Sequence, residues 1–119
     1  MTEEARVLTR ELLRRHENIC RKFAVEGPED VSEPMVSESV MSYGTLCTLA
    51  GLPFLTRGVG PFLGEVWDWC NERGWPQLNS LAVNGETGIP GDGYYQIELW
   101  PDEIRRCIAF RGYPASASI

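Results

Sequence analysis

The residues with the most reactive side chains are four cysteines and a single histidine. They are Cys20, Cys47, Cys70, Cys107 and His16. No two cysteines form a Cys-x-x-Cys pair and the chain has a single histidine, which argues against a structural zinc site, so we expect no bound metal. Most of the cysteines lie in apolar stretches, and we interpret all four as reduced, mostly buried thiols of a cytoplasmic protein. A disulfide in an exported protein is the alternative. His16 lies on a charged helix and is interpreted as a surface residue.

Motifs of the common catalytic and cofactor sites are missing from the sequence. The 119 residues contain no P-loop, no Rossmann glycine fingerprint and no His-Glu-x-x-His. The glycine-rich segment 88–93 follows a turn signal instead of opening a helix, which favours a turn over a phosphate cradle. Asp102 and Glu103 stand at a predicted helix start, where carboxylates complement the helix dipole. We therefore expect neither enzymatic activity nor a cofactor.

Basic residues are concentrated near the N-terminus. The chain has a net charge of −6, but residues 1–24 carry a net charge of +2. Arg6, Arg10 and Arg14 repeat every four residues along the helix predicted there. This arginine stripe is either a solvated face or a surface that binds phosphate or carboxylate groups. Because a duplex-DNA-binding domain is usually strongly basic, the overall charge argues against a typical one.

Acidic residues are concentrated in the next segment. Residues 25–41 include five acids, no basic residue and two prolines, which predicts a linker or surface loop. Such a segment is either plain solvated surface or a surface that imitates a phosphate backbone for a protein partner. In the second case the acidic partner surface would include Glu29, Asp30 and Glu33.

Hydrophobic periodicity predicts a single domain over 1–119 with an α+β, mainly helical fold. An amphipathic helix is predicted over 3–24. A short helix over 43–50, a Gly-Leu-Pro turn, and a second helix from residue 59 or 60 to 74 follow. No apolar stretch is long enough to cross a membrane, and the charged N-terminus does not resemble a secretory signal.

The remaining sequence predicts a β-hairpin and a last helix. Residues 78–83 are β-compatible, Asn84-Gly85 is a hairpin turn signal, and residues 94–100 alternate as in a strand with one buried face. A helix begins near Pro101, and residues 113–119 form a loose tail. Two helices, a tight turn and a hairpin outline a winged helix-turn-helix over residues 42–112.

Three tryptophans surround the end of the second predicted helix. Trp67 shares its apolar face, whereas Trp69 lies about 200° away around the helix axis. Trp69 is therefore either covered by the N-terminal helix or exposed as an aromatic anchor for a partner.

Several short motifs resemble the C-terminal DNA-binding domain of O6-alkylguanine-DNA alkyltransferases and of alkyltransferase-like proteins. They are Ser-Tyr-Gly at 42–44, Gly-Leu-Pro at 51–53, Arg-Gly-Val-Gly at 57–60, and the stretch from 75 to 91. Their order and spacing cover residues 40–92. In that family the tyrosine presses on the phosphate of the target nucleotide and the arginine replaces a flipped base in the stack. The resemblance assigns these roles to Tyr43 and Arg57, with Gly58 and Gly60 allowing close approach of a nucleic-acid groove.

The reactive part of the family motif is missing here. Where the family has Pro-Cys-His-Arg, or the same motif without the cysteine, this chain has Pro76-Gln77-Leu78-Asn79. We therefore expect no alkyl transfer. Two functional hypotheses remain open. One is a non-catalytic winged-helix module that binds nucleic acid or a nucleic-acid-processing complex. The other is a small acidic inhibitor, of the kind that phages encode, that binds a host defence or nucleic-acid enzyme.

Overall fold

In the computed structural model, which describes residues 1–91 and 93–119, helix α1 spans Glu3–Lys22 and the other helices pack against it. The helix begins where the Thr2 hydroxyl accepts a hydrogen bond from the N–H of Ala5 at 3.2 Å. Its buried face consists of Ala5, Leu8, Thr9, Leu12, Leu13, His16 and Ile19. The predicted amphipathic N-terminal helix is therefore confirmed, and its apolar face lies at the centre of the core.

The fold is α+β and mainly helical. In the described part of the chain the further helices are α2 Glu33–Ser39, α3 Tyr43–Leu49, α4 Gly60–Glu72 and α5 Trp100–Ala109. Two strands of two residues each, β1 Met41–Ser42 and β2 Ala82–Val83, pair in parallel. This pairing joins the start of α3 to the segment after α4, and it positions both beside one cleft.

The two helices predicted on either side of the Gly-Leu-Pro break are confirmed. Ser42 caps the N-terminus of α3, and Gly51 ends it in the left-handed conformation at φ 76°. The connection contains the 3₁₀ segment Pro53–Gly58. Pro61 lies in the first turn of α4, where its missing N–H costs no helical hydrogen bond.

The strand predicted over residues 94–100 is wrong, and so is the hairpin that depends on it. Ile97–Leu99 is a 3₁₀ turn and α5 already begins at Trp100. The face predicted as buried is exposed, because Tyr95, Ile97 and Leu99 are 63%, 39% and 51% accessible. The physical reason lies in two residues. Gln96 adopts a left-handed φ of 52°, which interrupts an extended chain, and the indole N–H of Trp100 donates to the carbonyl oxygen of Ser80 at 2.9 Å.

The acidic segment 25–41 is not a simple loop, contrary to the prediction. It contains the 3₁₀ turn Pro28–Asp30 and helix α2. Ser32 caps α2 and a proline occupies its first turn, a start signal that the acidic composition masks. Val31, Val36 and Met41 are buried in the core, so this segment is packed despite its charge.

The tail predicted to be loose is attached to α1. The carboxylate of Glu17 accepts two hydrogen bonds from Ser116, one from its N–H and one from its hydroxyl, both at 2.8 Å. The hydroxyl of Tyr113 donates to the carbonyl oxygen of Pro76 at 2.6 Å. These contacts are made by polar groups without periodicity, so hydrophobic patterning could not predict them.

The cysteines are confirmed as free and mostly buried, but His16 is not a surface residue. Three cysteines are buried and Cys20 is half-buried. His16 is 4% exposed and its Nε2 lies 2.8 Å from the carbonyl oxygen of Cys107. Because a carbonyl only accepts, Nε2 carries the proton, and Nδ1 accepts from the Cys20 thiol at 3.5 Å. The histidine therefore joins α1 to the C-terminal end of α5.

Candidate binding cleft

A cleft of about 1120 Å³ opens between α3, α4 and the segment that follows β2. It brings together three of the residues predicted from the sequence, Tyr43, Arg57 and Gly60. The remaining lining residues are Ser42, Gly44, Thr56, Val59, Pro61, Leu63, Gly64, Glu65, Trp67, Asp68, Asn79, Asn84, Gly85, Glu86, Gly91, Gly93, Tyr94 and Tyr95. The size is that of a small-molecule or nucleotide site.

Tyr43 connects one side of the cleft to the other. It is the first residue of α3, and its hydroxyl oxygen accepts a hydrogen bond from the N–H of Gly91 at 2.7 Å. A Cβ atom on Gly91 would lie 3.6 Å from that hydroxyl oxygen. A hydroxyl that accepts one hydrogen bond still has a proton to donate, so Tyr43 can also contact a ligand.

Arg57 lies at the mouth of the cleft with an exposed side chain. Among the residues that the structure describes, it forms no ion pair with a carboxylate. Gly58 and Gly60 flank the same turn, and a Cβ atom added to either would meet nothing within 4 Å. The fold itself therefore does not require glycine at these two positions, which leaves room for an external group beside Arg57.

Aromatic side chains form one wall of the cleft. The ring of Trp67 packs edge-on against Tyr94 and Tyr95, with centroid distances of 5.9 Å and 5.6 Å. Tyr94 is fixed by a 2.7 Å hydrogen bond between its hydroxyl and that of Ser80. Burial raises the pKa of Tyr94 to about 12, so its hydroxyl stays protonated at neutral pH. The more exposed Tyr95 leaves an aromatic face open to solvent.

The side-chain amide of Asn79 has an unmet hydrogen-bonding requirement. Asn79 lines the cleft and is 7% exposed, yet its Oδ1 has no hydrogen-bond partner among the described residues. Buried polar groups in folded proteins are nearly always satisfied, and leaving one without a partner costs about 1–3 kcal/mol. The oxygen itself is almost inaccessible, but the amide can turn about its last side-chain torsion to bring a polar atom to the cleft, so Asn79 is the candidate contact for a ligand there.

Neighbouring buried polar groups make the contrast clear. Ser80 is fully buried but bonds Tyr94, and Thr9 donates to the carbonyl oxygen of Ala5 at 2.7 Å. Within the described part of the chain, the buried side-chain oxygens without a partner belong to Asn79 and Gln77. Both lie at the 3₁₀ turn Leu78–Leu81 or immediately before it, so the exceptions are confined to one place.

The charge around the cleft is not positive. Its lining includes one arginine, Arg57, against the three acids Glu65, Asp68 and Glu86. Glu65 is engaged internally, since its carboxylate accepts hydrogen bonds from the hydroxyl and the N–H of Thr2, both at 2.7 Å. These bonds, the hydroxyl bond first, lower the pKa of the Glu65 carboxyl. An acidic rim disfavours a ligand whose binding depends on many phosphate contacts.

The arginine stripe of α1 is largely occupied within the chain. Arg6 pairs with Glu3, and Arg14 pairs with Glu11. Arg10 donates to the main-chain oxygen of Ile119 at 2.8 Å and 3.2 Å. None of these arginines lines the cleft as described, so the structure does not bring the stripe together with Arg57.

Trp69 also lies outside the described lining of the cleft. It is half-buried and packs edge-on against Trp75, with ring centroids 5.2 Å apart. The guanidinium of Arg73 covers the Trp69 ring at 5.0 Å. This packing occupies much of the ring surface that a partner anchor would use.

The acidic partner surface is partly used within the chain as well. Glu29, Asp30 and Glu33 are all exposed. Asp30 accepts a hydrogen bond from the N–H of Glu26 at 3.0 Å, and Glu33 pairs with Arg105. Arg105 also donates to the carbonyl oxygen of Val31, which attaches the acidic segment to α5.

Comparisons with known proteins give no relative. The chain matches no protein-family model, no curated protein and no solved structure at a significant level. The alkyltransferase resemblance therefore stays a prediction. No helix of residues 1–91 and 93–119 is long and apolar enough to cross a membrane. The same residues contain no group of three or more His, Cys, Asp or Glu side chains placed to hold a metal ion.

Three important residues of the cleft were not predicted as site residues. From the sequence, Trp67 belongs to the apolar face of α4 and Tyr95 to the buried face of a strand. The third, Asn79, is visible only as a departure from the family motif. The sequence has no signal of its own for Asn79, because the missing hydrogen-bond partner is visible only in the structure.

Proposed function

We propose that this chain is a non-catalytic nucleic-acid-binding module whose cleft receives one base that has left its stack. The observation that carries the proposal is the buried, unpartnered amide of Asn79 in a cleft that also contains Tyr43 and Arg57. An amide presents both a donor and an acceptor, which is the pattern needed to read the edge of a nucleobase. The proposed setting is a cytoplasmic protein in which α3 and α4 form a helix-turn-helix-like pair.

Stacking supplies the second part of the recognition. The wall of Trp67, Tyr94 and Tyr95 offers aromatic surface to a planar ring. Stacking of a base on an aromatic side chain contributes about 1–3 kcal/mol and depends little on the identity of the base. Stacking therefore supplies affinity, and the Asn79 amide supplies preference among bases.

A phosphate group is best accommodated beside Arg57 and the N-terminus of α4. Of the helices that line the cleft, α4 has neither an acid in its first turn nor a side-chain cap. Pro61 has no N–H and the N–H groups of Phe62 and Leu63 donate to the carbonyl oxygen of Val59, so the N–H of Gly60 and the helix dipole are what favour an anion there. This is one local phosphate position, in keeping with the acidic rim elsewhere.

The sparse positive charge favours a single strand or an unpaired base over an intact duplex. One or two phosphate contacts predict that affinity for a single strand falls only about three- to sevenfold between roughly 50 mM and 200 mM salt. A duplex binder of the usual kind would lose far more.

The test is fluorescence anisotropy with labelled single-stranded and double-stranded oligonucleotides of one mixed sequence at those two salt concentrations. We expect measurable binding of the single strand, weaker binding of the duplex and a shallow salt dependence. Arg57→Ala should weaken binding more than Arg73→Ala, because Arg73 covers Trp69 outside the cleft. No binding of either oligonucleotide at low salt would contradict the proposal and favour a protein partner.

A further inference from the structure

A second, smaller cavity of about 290 Å³ lies next to the cleft. Gln77 lines it, is 5% exposed, and has an Oε1 atom without a hydrogen-bond partner in the described residues. Its main-chain N–H is satisfied, since it donates to the carboxylate of Glu103 at 2.7 Å. The unmet requirement is therefore confined to the side-chain amide, as it is at Asn79 in the larger cleft.

The two cavities share a wall. Trp67, Tyr94 and Tyr95 line both of them. Asn79 lines the cleft and Gln77 lines the small cavity, and the two residues are two positions apart in the chain. Each cavity is thus lined by the same three aromatic side chains and by one buried amide whose oxygen has no partner in the described residues.

We infer that the ligand is a single nucleic-acid strand with two consecutive unstacked bases, one in the cleft at Asn79 and the next in the small cavity at Gln77. This inference rests on the proposed function and specifies its ligand. The sugar-phosphate backbone between the bases passes over the shared wall, where Tyr95 is exposed. Each base stacks on the aromatic side chains of its own cavity and completes the hydrogen bonds of one amide.

The small cavity suits a neutral, planar, hydrogen-bonding ring. Trp75 adds a further aromatic side chain to its lining. The carboxylate of Glu103 is already neutralised by Arg106, whose guanidinium donates to it at 2.8 Å. Both charged residues in its described lining, Glu103 and Arg106, are thus paired with each other. The buried polar atom without a partner in that lining is the side-chain oxygen of Gln77.

Two oligonucleotides separate this inference from the proposed function. The first has two adjacent bases in the centre of an otherwise abasic single strand of six nucleotides. The second has one central base in the same abasic strand. Each is made as DNA and as RNA, with each of the four bases, and dissociation constants are measured by anisotropy. We expect the wild-type chain to bind the two-base strand about tenfold more tightly than the one-base strand.

The variant Gln77→Leu should remove that tenfold advantage while leaving the affinity for the one-base strand unchanged. Asn79→Leu should weaken binding of both strands. Asn18→Leu, which changes an exposed amide on α1, should alter neither. Thermal melting of each variant verifies that it is folded.

Equal binding of the two strands by the wild-type chain would overturn the inference and leave the proposed function in place. So would an unchanged two-base advantage in Gln77→Leu. If the wild-type chain binds neither strand, nor a six-nucleotide strand carrying all its bases, both the inference and the proposed function are wrong. A two-base advantage in the DNA strands alone, or in the RNA strands alone, would support the inference and identify the sugar of the ligand.

Discussion

The hydroxyl oxygen of Tyr43 lies 2.7 Å from the main-chain nitrogen of Gly91 and accepts its hydrogen bond. This contact joins the first turn of α3 to a segment 48 residues later in the chain. Together with the parallel pairing of Met41 with Ala82, it holds the two sides of the cleft in register. The site therefore depends on long-range contacts as well as on the residues that would touch a ligand.

Tyr43→Phe should destabilise the fold by about 1 kcal/mol, because it removes one hydrogen bond and leaves the Gly91 N–H without its partner. In Tyr43→Phe, amide hydrogen exchange at Gly91 should be accelerated relative to the wild type, and by more than exchange at residues in the core of α1. Tyr95→Phe is the control, since Tyr95 is exposed and its hydroxyl makes no hydrogen bond in the described structure. Equal effects of the two changes would contradict the structural role of the Tyr43 hydroxyl.

Gly64→Ala should stabilise the fold by about 0.5–1 kcal/mol, the usual advantage of alanine inside a helix. Gly64 lies in α4 and lines the cleft, and an added Cβ would meet nothing within 4 Å. Because the added methyl group enters the cleft, nucleic-acid binding should weaken. Gly74→Ala is the matched opposite, since its φ of 69° is strained for alanine and the change should destabilise. If Gly64→Ala is less stable than the wild type, the placement of Gly64 inside α4 with open space around its Cα is contradicted.

Arg15 and Arg14 are adjacent arginines with different expected effects. The Arg15 guanidinium donates to three carbonyl oxygens at the end of α2, those of Glu38, Ser39 and Val40, at 2.8–3.1 Å. Arg15→Ala should cost about 1–3 kcal/mol, because several charge-assisted hydrogen bonds are lost. Arg14 is 55% exposed and makes a single ion pair with Glu11, which is 12% exposed, and Arg14→Ala should cost less than Arg15→Ala because fewer hydrogen bonds are lost. Urea unfolding distinguishes the two variants. Equal unfolding midpoints for Arg15→Ala and Arg14→Ala would contradict a stabilising role for the Arg15 hydrogen bonds.

His16 should make stability depend on pH in a defined window. Burial lowers the pKa of His16 from its usual 6.5, so the folded chain holds the imidazole neutral. As the pH falls below about 6.5 the unfolded chain takes up a proton first, and stability decreases. The melting temperature should therefore fall between about pH 7 and pH 5, above the range in which carboxyl groups titrate.

The variant His16→Gln is the control for this pH effect. The chain has one histidine, so this change removes the only side chain that ordinarily titrates in that window. Melting of His16→Gln should be nearly flat there. An unchanged slope would assign the effect to another group. Glu17 acts separately: hydrogen bonds from Ser116, the N–H first, lower its pKa, and the stability they contribute is lost only as the pH falls below about 4.5.

Helices with strong local signals could be predicted from the sequence, and the tertiary environment decided the rest. Helices α1 and α3 have side-chain caps, α3 and α4 are followed by the left-handed glycines Gly51 and Gly74, and α1 and α4 have helical apolar spacing. The alternating pattern of residues 94–100 predicted a strand. In the structure Gln96 has a left-handed φ, and Trp100 is buried with its indole N–H bonded to Ser80, so the long-range contact determines the conformation. Helix α2 was missed because its acidic composition hid an ordinary Ser-Glu-Pro start.

The site could be predicted only in part, for a similar reason. Tyr43, Arg57 and Gly60 were predicted from a resemblance, and the structure places all three in the lining of one cleft. Asn79 and Gln77 are functional candidates because of a hydrogen bond that they lack, and the absence of a partner cannot be read from sequence. The arginine stripe looked free because its partners, Glu3, Glu11 and the main chain at Ile119, depend on side-chain conformation and on the fold.

The role of Asn79 in ligand binding is tested most directly by measuring both the stability and the oligonucleotide binding of Asn79→Leu. Replacing a buried amide that lacks a partner with an apolar side chain of similar size should leave the fold as stable or more stable, by about 0–2 kcal/mol. Binding of a single-stranded oligonucleotide should at the same time weaken about tenfold, because the group that reads the base is gone. A stable variant with impaired binding is the predicted result. A variant that binds as tightly as the wild type, or one that loses stability in proportion to binding, would contradict a ligand-directed role for Asn79.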